Sequence, residues 1–323
     1  MGRPVRILGT GAIVLRSNSL EETAAWSARV AEATERLGRG GKRIRFIHRI
    51  EEIALLASWD AVRESGIAVL STAPGEVGIA LGVDEGIDGI KARHCLAVQS
   101  DGPLGASPLV FPFTTQNAVT ARVSIGLDLR GEMFTLCCGQ LSGAVALGIA
   151  LNTVRRGGVT AMLAGGATSV EKVFLDALAA AGVREGSSER DGAGILVLAP
   201  EDEGRDPEAG RTALLLGYGD AFGDRAVTHA VEACLDDAGV LPREIDLVWQ
   251  ASTDLPSDVF RQDLTADIPV IMRSPHADLD SASFPLTVAA VARGHATARQ
   301  GPVLVVGSDC MGAAAAVLVR GAS

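Results

Sequence analysis

The sequence predicts a layered α/β fold, ordered α/β/α/β/α and built from two similar βαβ-rich halves. Three observations predict it. Apolar strands of the fully buried kind alternate with helices along 323 residues, the mark of parallel sheets covered on both faces. The stretch 140–156 has helical character and is apolar on nearly every side, so it belongs between layers and not on a surface. The order buried helix, glycine turn, apolar strand occurs twice, at Gly157-Gly158-Val159 and at Gly301-Pro302-Val303, which reads as an internal duplication. The halves fall at residues 1–200 and 201–323, with the acidic stretch 201–211, which contains Gly and Pro, as the joint.

Composition agrees with this class and excludes others. Hydrophobic residues make up 47% and charged residues 21%, which is globular and not disordered. Aromatics are only 4%, so the core is filled by small aliphatic side chains. A net charge of −10 makes nucleic acid and anionic membrane poor partners. The five cysteines (Cys95, Cys137, Cys138, Cys234, Cys310) are odd in number and contain no CxxC pair. Neither a disulfide framework nor a zinc site is expected, and no cofactor is implied. No apolar run is long enough to span a membrane and no signal-peptide core is seen, so the expected compartment is the cytoplasm.

The elements follow in order. Residues 5–8 and 12–15, around Gly9 and Gly11, read as two short strands or as a strand and a turn. Residues 19–37 have helical spacing with polar character. Residues 50–65 place Ile50, Ile53, Leu56 and Ala61 at helical intervals. A buried strand is expected at 77–81 and another at 133–138, stopped by Gly139 before the central helix. That helix ends at Arg155-Arg156-Gly157, with cations at its C-terminal carbonyls and glycine to close it. A strand follows at 159–164 and ends at Gly165-Gly166, then another at 194–198. The second half reads as strand 213–216, helix 225–238, strand 245–249, helix 282–299, and strands 303–306 and 314–319.

The residues that carry chemistry cluster at the central turn. Met133-Phe134-Thr135-Leu136, then Gly139-Gln140-Leu141-Ser142-Gly143, resembles the nucleophile turn of the β-ketoacyl synthase family. The resemblance continues through Phe111-Pro112-Phe113-Thr114-Thr115-Gln116-Asn117 and Leu129-Arg130-Gly131 upstream. Downstream it continues through Ala164-Gly165-Gly166, Asp191-Gly192-Ala193-Gly194 and Leu216-Gly217-Tyr218-Gly219, in family order over most of the chain. It implies a thiolase-like fold. In that family a cysteine at the helix start takes the acyl group as a thioester, and two histidines stabilise the enolate left by decarboxylation.

Held in register, the cysteine position is Gln140, and a carboxamide is no nucleophile. The first histidine column falls on Ala251, or on Gln250 one residue earlier. The second falls on Asp278, with His276 two positions early. The late turn that carries the family's aromatic gate reads Asp309-Cys310-Met311-Gly312. The resemblance therefore implies a chain-length-factor type subunit with no intact catalytic set. Such a subunit pairs with an active ketosynthase, receives an acyl carrier protein, and lines the tunnel for a growing polyketide or fatty chain. Tunnel or gate positions would be Phe111, Phe113, Thr115, Gln140, Cys310 and Met311. The shortened segments near 184–190 and between the histidine columns resemble those of polyene-type systems. A pairing surface is expected near 111–119 and strand 159–167, and carrier docking at the basic stretches 42–49 or 155–156. Two other readings stand beside this one. The chain is an enzyme in its own right, either an acyltransferase or thioester hydrolase in which a register slip makes Cys137 or Cys138 the nucleophile, or a malonyl-carrier decarboxylase using Gln140. Alternatively the chain is a homodimeric acyl-binding protein. As small buried residues ending a strand, the two cysteines also have a purely structural explanation.

Overall fold

A computed structural model describes residues 2–16, 20–37, 48–67, 76–170, 180, 190–201, 213–252, 271–294 and 301–322. Among the described residues ten strands pair in the order β3-β2-β4-β5-β1-β6-β10-β9-β7-β8. They are β1 (Val5–Arg16), β2 (Val77–Val83), β3 (Met133–Leu136), β4 (Ala161–Thr168), β5 (Arg190–Pro200), β6 (Ala213–Phe222), β7 (Leu247–Gln250), β8 (Ile271–Arg273), β9 (Val303–Ser308) and β10 (Ala313–Arg320). The first five strands and the last five share one plan. In each set the second strand lies parallel between the third and the fourth, and the fourth, fifth and first follow antiparallel. The two sets join where Val5–Ile7 of β1 pair with Ala213–Leu215 of β6. The ladder is therefore one folded sheet, where separate sheets were expected.

Seven α-helices are described: α1 (Leu20–Leu37), α2 (Arg49–Ser65), α3 (Asp88–Asp101), α4 (Asn117–Leu127), α5 (Ser142–Arg155), α6 (Ala226–Ala238) and α7 (Asp280–Ala292). The period-2 alternation of the strands sorts them into layers. Ile79, Leu81, Leu163, Ile195 and Val197 face α1, α2 and α4. Ala80, Met162, Ala164, Leu196 and Leu198 face inward onto α5 and α7, where Val303, Val305, Ala315 and Val317 of the other half meet them. Leu304, Val306, Ala316 and Leu318 point outward onto α6. This is the predicted α/β/α/β/α arrangement, with α5 and α7 as its middle layer.

Most differences from the sequence reading come from glycines. Gly9 and Gly11 do not interrupt β1, which runs through them with a register shift between Ile7 and Gly9. A methyl at Gly11 would lie 1.8 Å from Ala57 O of α2, so the missing side chain admits a helix. Gly165 and Gly166 likewise lie inside β4 and do not end it. A methyl at Gly166 would lie 2.0 Å from Ser281 O of α7. Helix α3 was not anticipated, because only Gly89 and Ile90 of it are buried and its apolar residues show no helical period. The expected pairing strand 159–167 is also corrected. β4 is an interior strand with partners on both sides, whereas β3 ends the described ladder. The proposed joint at 201–211, the stretch 184–189 and the end of the last helix (295–299) lie outside the described residues, apart from Glu201.

Candidate functional site

The turn between β3 and α5 is built by backbone geometry and one hydroxyl. Gly139 takes φ 65°, a left-handed conformation that a side chain disfavours. Ser142, the first residue of α5 and fully buried, folds its hydroxyl back. Its Oγ accepts from Cys138 N at 2.8 Å and donates to Gly139 O at 2.6 Å. The helix therefore starts at Ser142 and not at Gln140, as the apolar pattern suggested. Gln140 stands two residues before it, half-buried and bridged to Cys138. Next to it the middle layer is as tight as backbone allows. A methyl at Gly143 would lie 2.1 Å from Ser281 O, and one at Gly148 would enter the Tyr218 ring.

Carboxylates gather around this turn from four separate elements, and the sequence reading assigned none of them a role. Asp84 follows β2, and its N–H donates to Ser281 Oγ at 3.1 Å. Burial and the neighbouring Asp280 raise its pKa, while the Gly139 N–H and Lys91 act the other way. Asp280 opens α7 at φ 40° and is buried. Asp220 lies on β6, and Asp309 Oδ2 comes within 3.7 Å of where a Gly139 side chain would begin. Tyr218 is raised strongly, first by burial and then by Asp220. The signal that could have located this group is topological. Asp84 ends a buried strand of the parallel part of the sheet, and functional groups collect at such ends.

Cys137 and Cys138 are exposed, free thiols at the end of β3. Their pKa values are raised by partial desolvation and then by Asp84, with Asp220 adding to Cys138 and Lys91 opposing at Cys137. A raised thiol pKa means less thiolate near neutrality, hence a poorer nucleophile. At pH 8 both are expected to alkylate with iodoacetamide more slowly than free glutathione, with the rate still climbing above pH 9. Equal rates at pH 8 would contradict this account.

The remaining predicted positions divide into two groups. Cys310 and Met311 are exposed in the β9–β10 turn and follow Asp309, whose carboxylate approaches Gly139. Ala251 is buried just past β7, its N–H bonded to Val306 O at 2.8 Å, and Gln250 caps Ser252 O through Nε2. Asp278 is exposed between β8 and α7, and His276 is half-buried. Residues 253–270, between these columns, are outside the described residues. Phe111, Phe113 and Thr115 lie in and after a short 3₁₀ turn (Phe111–Phe113) between α3 and α4. Phe113 packs on the outer core, and the Phe111 ring lies 5.8 Å from His94 of α3.

The basic stretches named for docking are largely engaged. Arg155 is bound to Asp237, Arg156 to Glu132 and Arg49 to Asp191, while residues 42–47 are outside the described residues. Among the described residues no group of three or more His, Cys, Asp or Glu is placed to hold a metal. No described helix is long and apolar enough to cross a membrane.

Comparison with known proteins places this architecture. Residues 15–198 match the model of the β-ketoacyl synthase N-terminal domain. Among curated proteins, the 3-oxoacyl-[acyl-carrier-protein] synthase 2 of Staphylococcus aureus is 24% identical over 245 residues, covering 67% of this chain and 60% of the relative. That of Vibrio harveyi is 26% identical over 236 residues, covering 64% of this chain and 57% of the relative. The chain thus spans about 60% of the length of the curated relatives it matches. Among solved structures, the ishigamide ketosynthase/chain length factor superposes with TM-score 0.76 at 18% identity, with full coverage of both chains. A type II PKS acyl-carrier protein in complex with its ketosynthase bound to the hexaketide gives TM-score 0.74 at 16% identity, covering 99% of this chain and 100% of that one. At such identities the structural likeness speaks for the fold, the thiolase-like one that the ordered motifs implied. The family match covers more than half of the chain, and by it this protein belongs to the β-ketoacyl synthase family.

Proposed function

We propose that this chain is a non-condensing, chain-length-factor type subunit that pairs with an active ketosynthase and shapes the tunnel for its acyl chain. The observation that carries the reading is Gln140 at the turn before α5, where the family pattern holds the acyl-accepting cysteine. An amide there forms no thioester. Ala251 and Asp278 in the histidine columns remove the enolate-stabilising imidazoles as well. The raised pKa values of Cys137 and Cys138 weigh against either as a substitute nucleophile.

The pairing surface is assigned to the consecutive elements from α3 to β3. Leu96, Leu104, Leu109, Phe111, Ile125 and Met133 are exposed there, and an apolar face of that kind is what a partner subunit would cover. Thr135 of β3 hydrogen-bonds Thr120 of α4 at 2.7 Å, which ties the edge strand to this face. An acyl carrier protein is the natural third component, since a solved neighbour holds one in complex with its ketosynthase.

Co-expression with a ketosynthase that retains Cys and both His is expected to yield a one-to-one complex. Intact-mass measurement after exposure to an acyl thioester should place the adduct on the partner alone. Gln140→Cys should not confer condensation on the chain by itself, because the imidazoles are missing. An acyl adduct on Cys137 or Cys138 of the isolated chain would favour the self-sufficient acyltransferase instead. A stable homodimer that ignores the ketosynthase would favour a simple acyl-binding protein.

A further inference from the structure

Three oxygen-bearing side chains meet where β2 and β4 end against the start of α7. Thr168 closes β4 and is 1% exposed, and its Oγ1 is buried with no hydrogen-bond partner. Buried hydroxyls are nearly always paired, so an orphan calls for a physical reason. Its direction follows from the strand. Side chains alternate, and Gly166, two residues earlier, turns its missing side chain toward Ser281 O of α7. Thr168 therefore faces the same middle layer. On the ladder it pairs with Gly192, where a methyl would meet the Leu279 side chain just before α7. Asp84 stands on the other side. Val83 pairs with Ala167, so Asp84 is level with Thr168 and continues the inward positions of Ala80 and Gly82. Its N–H donates to Ser281 Oγ at 3.1 Å, and its carboxylate accepts from Gly139 N–H. Asp280, the first residue of α7, is 8% exposed. Burial and then Asp280 raise the Asp84 pKa, which puts the two carboxyls within each other's field.

Helix capping explains only part of this arrangement. The starts of α5 and α7 each present roughly half a positive charge. Two carboxylates outweigh the pair by about one negative charge. Nearby charges leave that excess in place. Lys91 and Asp88 lie 3.5 Å apart and offset each other. Asp220 is exposed. Asp309 Oδ1 is committed to its own turn, accepting from Met311 N–H and Ala313 N–H at 3.0 and 2.9 Å. Neither helix end accounts for the Thr168 hydroxyl.

We infer that Asp84, Asp280 and Thr168 bind a monovalent alkali cation, sodium or potassium, between the ends of β2 and β4 and the start of α7. The donors are hard oxygens, which suit such an ion and not a soft metal. Its single charge matches the excess, and its lone-pair demand gives the Thr168 hydroxyl a partner. Because the Asp84 carboxylate also holds Gly139 N–H, the ion braces the turn that carries Gln140. The site belongs to the chain alone and stands apart from the pairing reading.

The test is urea unfolding of the full chain while sodium or potassium chloride replaces tetramethylammonium chloride at constant ionic strength. The unfolding midpoint should rise with sodium or potassium and then saturate. At ten times the half-saturating concentration the folded-to-unfolded ratio should be about tenfold higher than in tetramethylammonium. Comparing the two salts identifies the preferred ion. Asp280→Asn should abolish the dependence; asparagine is chosen because it tolerates the positive φ at this position. Thr168→Val keeps the shape and the net charge but removes the hydroxyl, and should lose more than half of the response. Sodium NMR lines should broaden with wild type more than with Thr168→Val, a difference that the general acidity of the surface cannot produce. Equal midpoints in all three salts would overturn the inference. So would a response that Thr168→Val and Asp280→Asn both leave intact, or saturation by calcium chloride at far lower concentration, which would mean a doubly charged occupant. If Asp280→Asn does not fold, Thr168→Val decides alone.

Discussion

Gly166→Ala is expected to unfold the protein or to cost it about 3 kcal/mol, measured as a shift in urea midpoint at constant m-value. The added methyl would lie 2.0 Å from Ser281 O and 3.1 Å from the Gly143 Cα. Neither is the tip of a flexible side chain. Both belong to the backbones of the two middle-layer helices, so relief requires moving α5 or α7 bodily. Ser281 O is also the atom that a methyl at Gly143 would meet at 2.1 Å. Three elements thus converge on one carbonyl, and the strain has no local outlet. Gly157→Ala separates this effect from the general cost of replacing glycine. Gly157 has φ 74° and nothing near its missing side chain, so only backbone strain of about 1 kcal/mol is expected. Equal losses in the two variants would refute the packing argument.

Arg155→Ala is expected to destabilise by about 3 kcal/mol. Arg155 ends α5 and forks onto Asp237 of α6 with bonds of 2.9 and 2.7 Å from Nη1. It also donates to Arg3 O at 2.7 Å and Leu216 O at 2.8 Å. Its side chain is 12% exposed and that of Asp237 29%, so solvent screens the pair only in part. Truncation strands the Asp237 carboxylate, which keeps the Tyr218 N–H at 3.1 Å, and leaves two carbonyls without their donor. Arg155→Lys should recover less than half of the loss, because an ammonium cannot serve four acceptors spread over a planar fork. Thermal unfolding of the three proteins in one buffer checks this; full recovery by lysine would reduce the site to simple charge pairing.

The fold was legible where hydrophobic spacing alone decides structure. Helix α5, apolar on most sides, had to be interior, and Leu304 and Val306 alternating with Val303 and Val305 had to serve two layers. Glycine was the weak point. Gly9, Gly11, Gly165 and Gly166 look in sequence like chain breakers. In the structure each lies within a strand and makes room for a neighbouring backbone. A missing Cβ signals a turn or a close contact equally well, and only the partner element tells them apart. The candidate site was legible in its turn, since an apolar strand, a glycine and a buried helix adjoin in the chain. Its charged surround was not. Asp84, Asp220, Asp280 and Asp309 are far apart in sequence, and only the strand order brings them to one place.

The pairing of β1 has a consequence for how the molecule comes into being. Val5 has Pro200 for its neighbour on one side and Leu215 on the other. During synthesis β1 therefore leaves the ribosome long before its described mates β5 and β6 exist. A contact of such span is slow to close and leaves an adhesive edge open meanwhile. The chain's yield in a foreign host should therefore depend on translation speed across the first half.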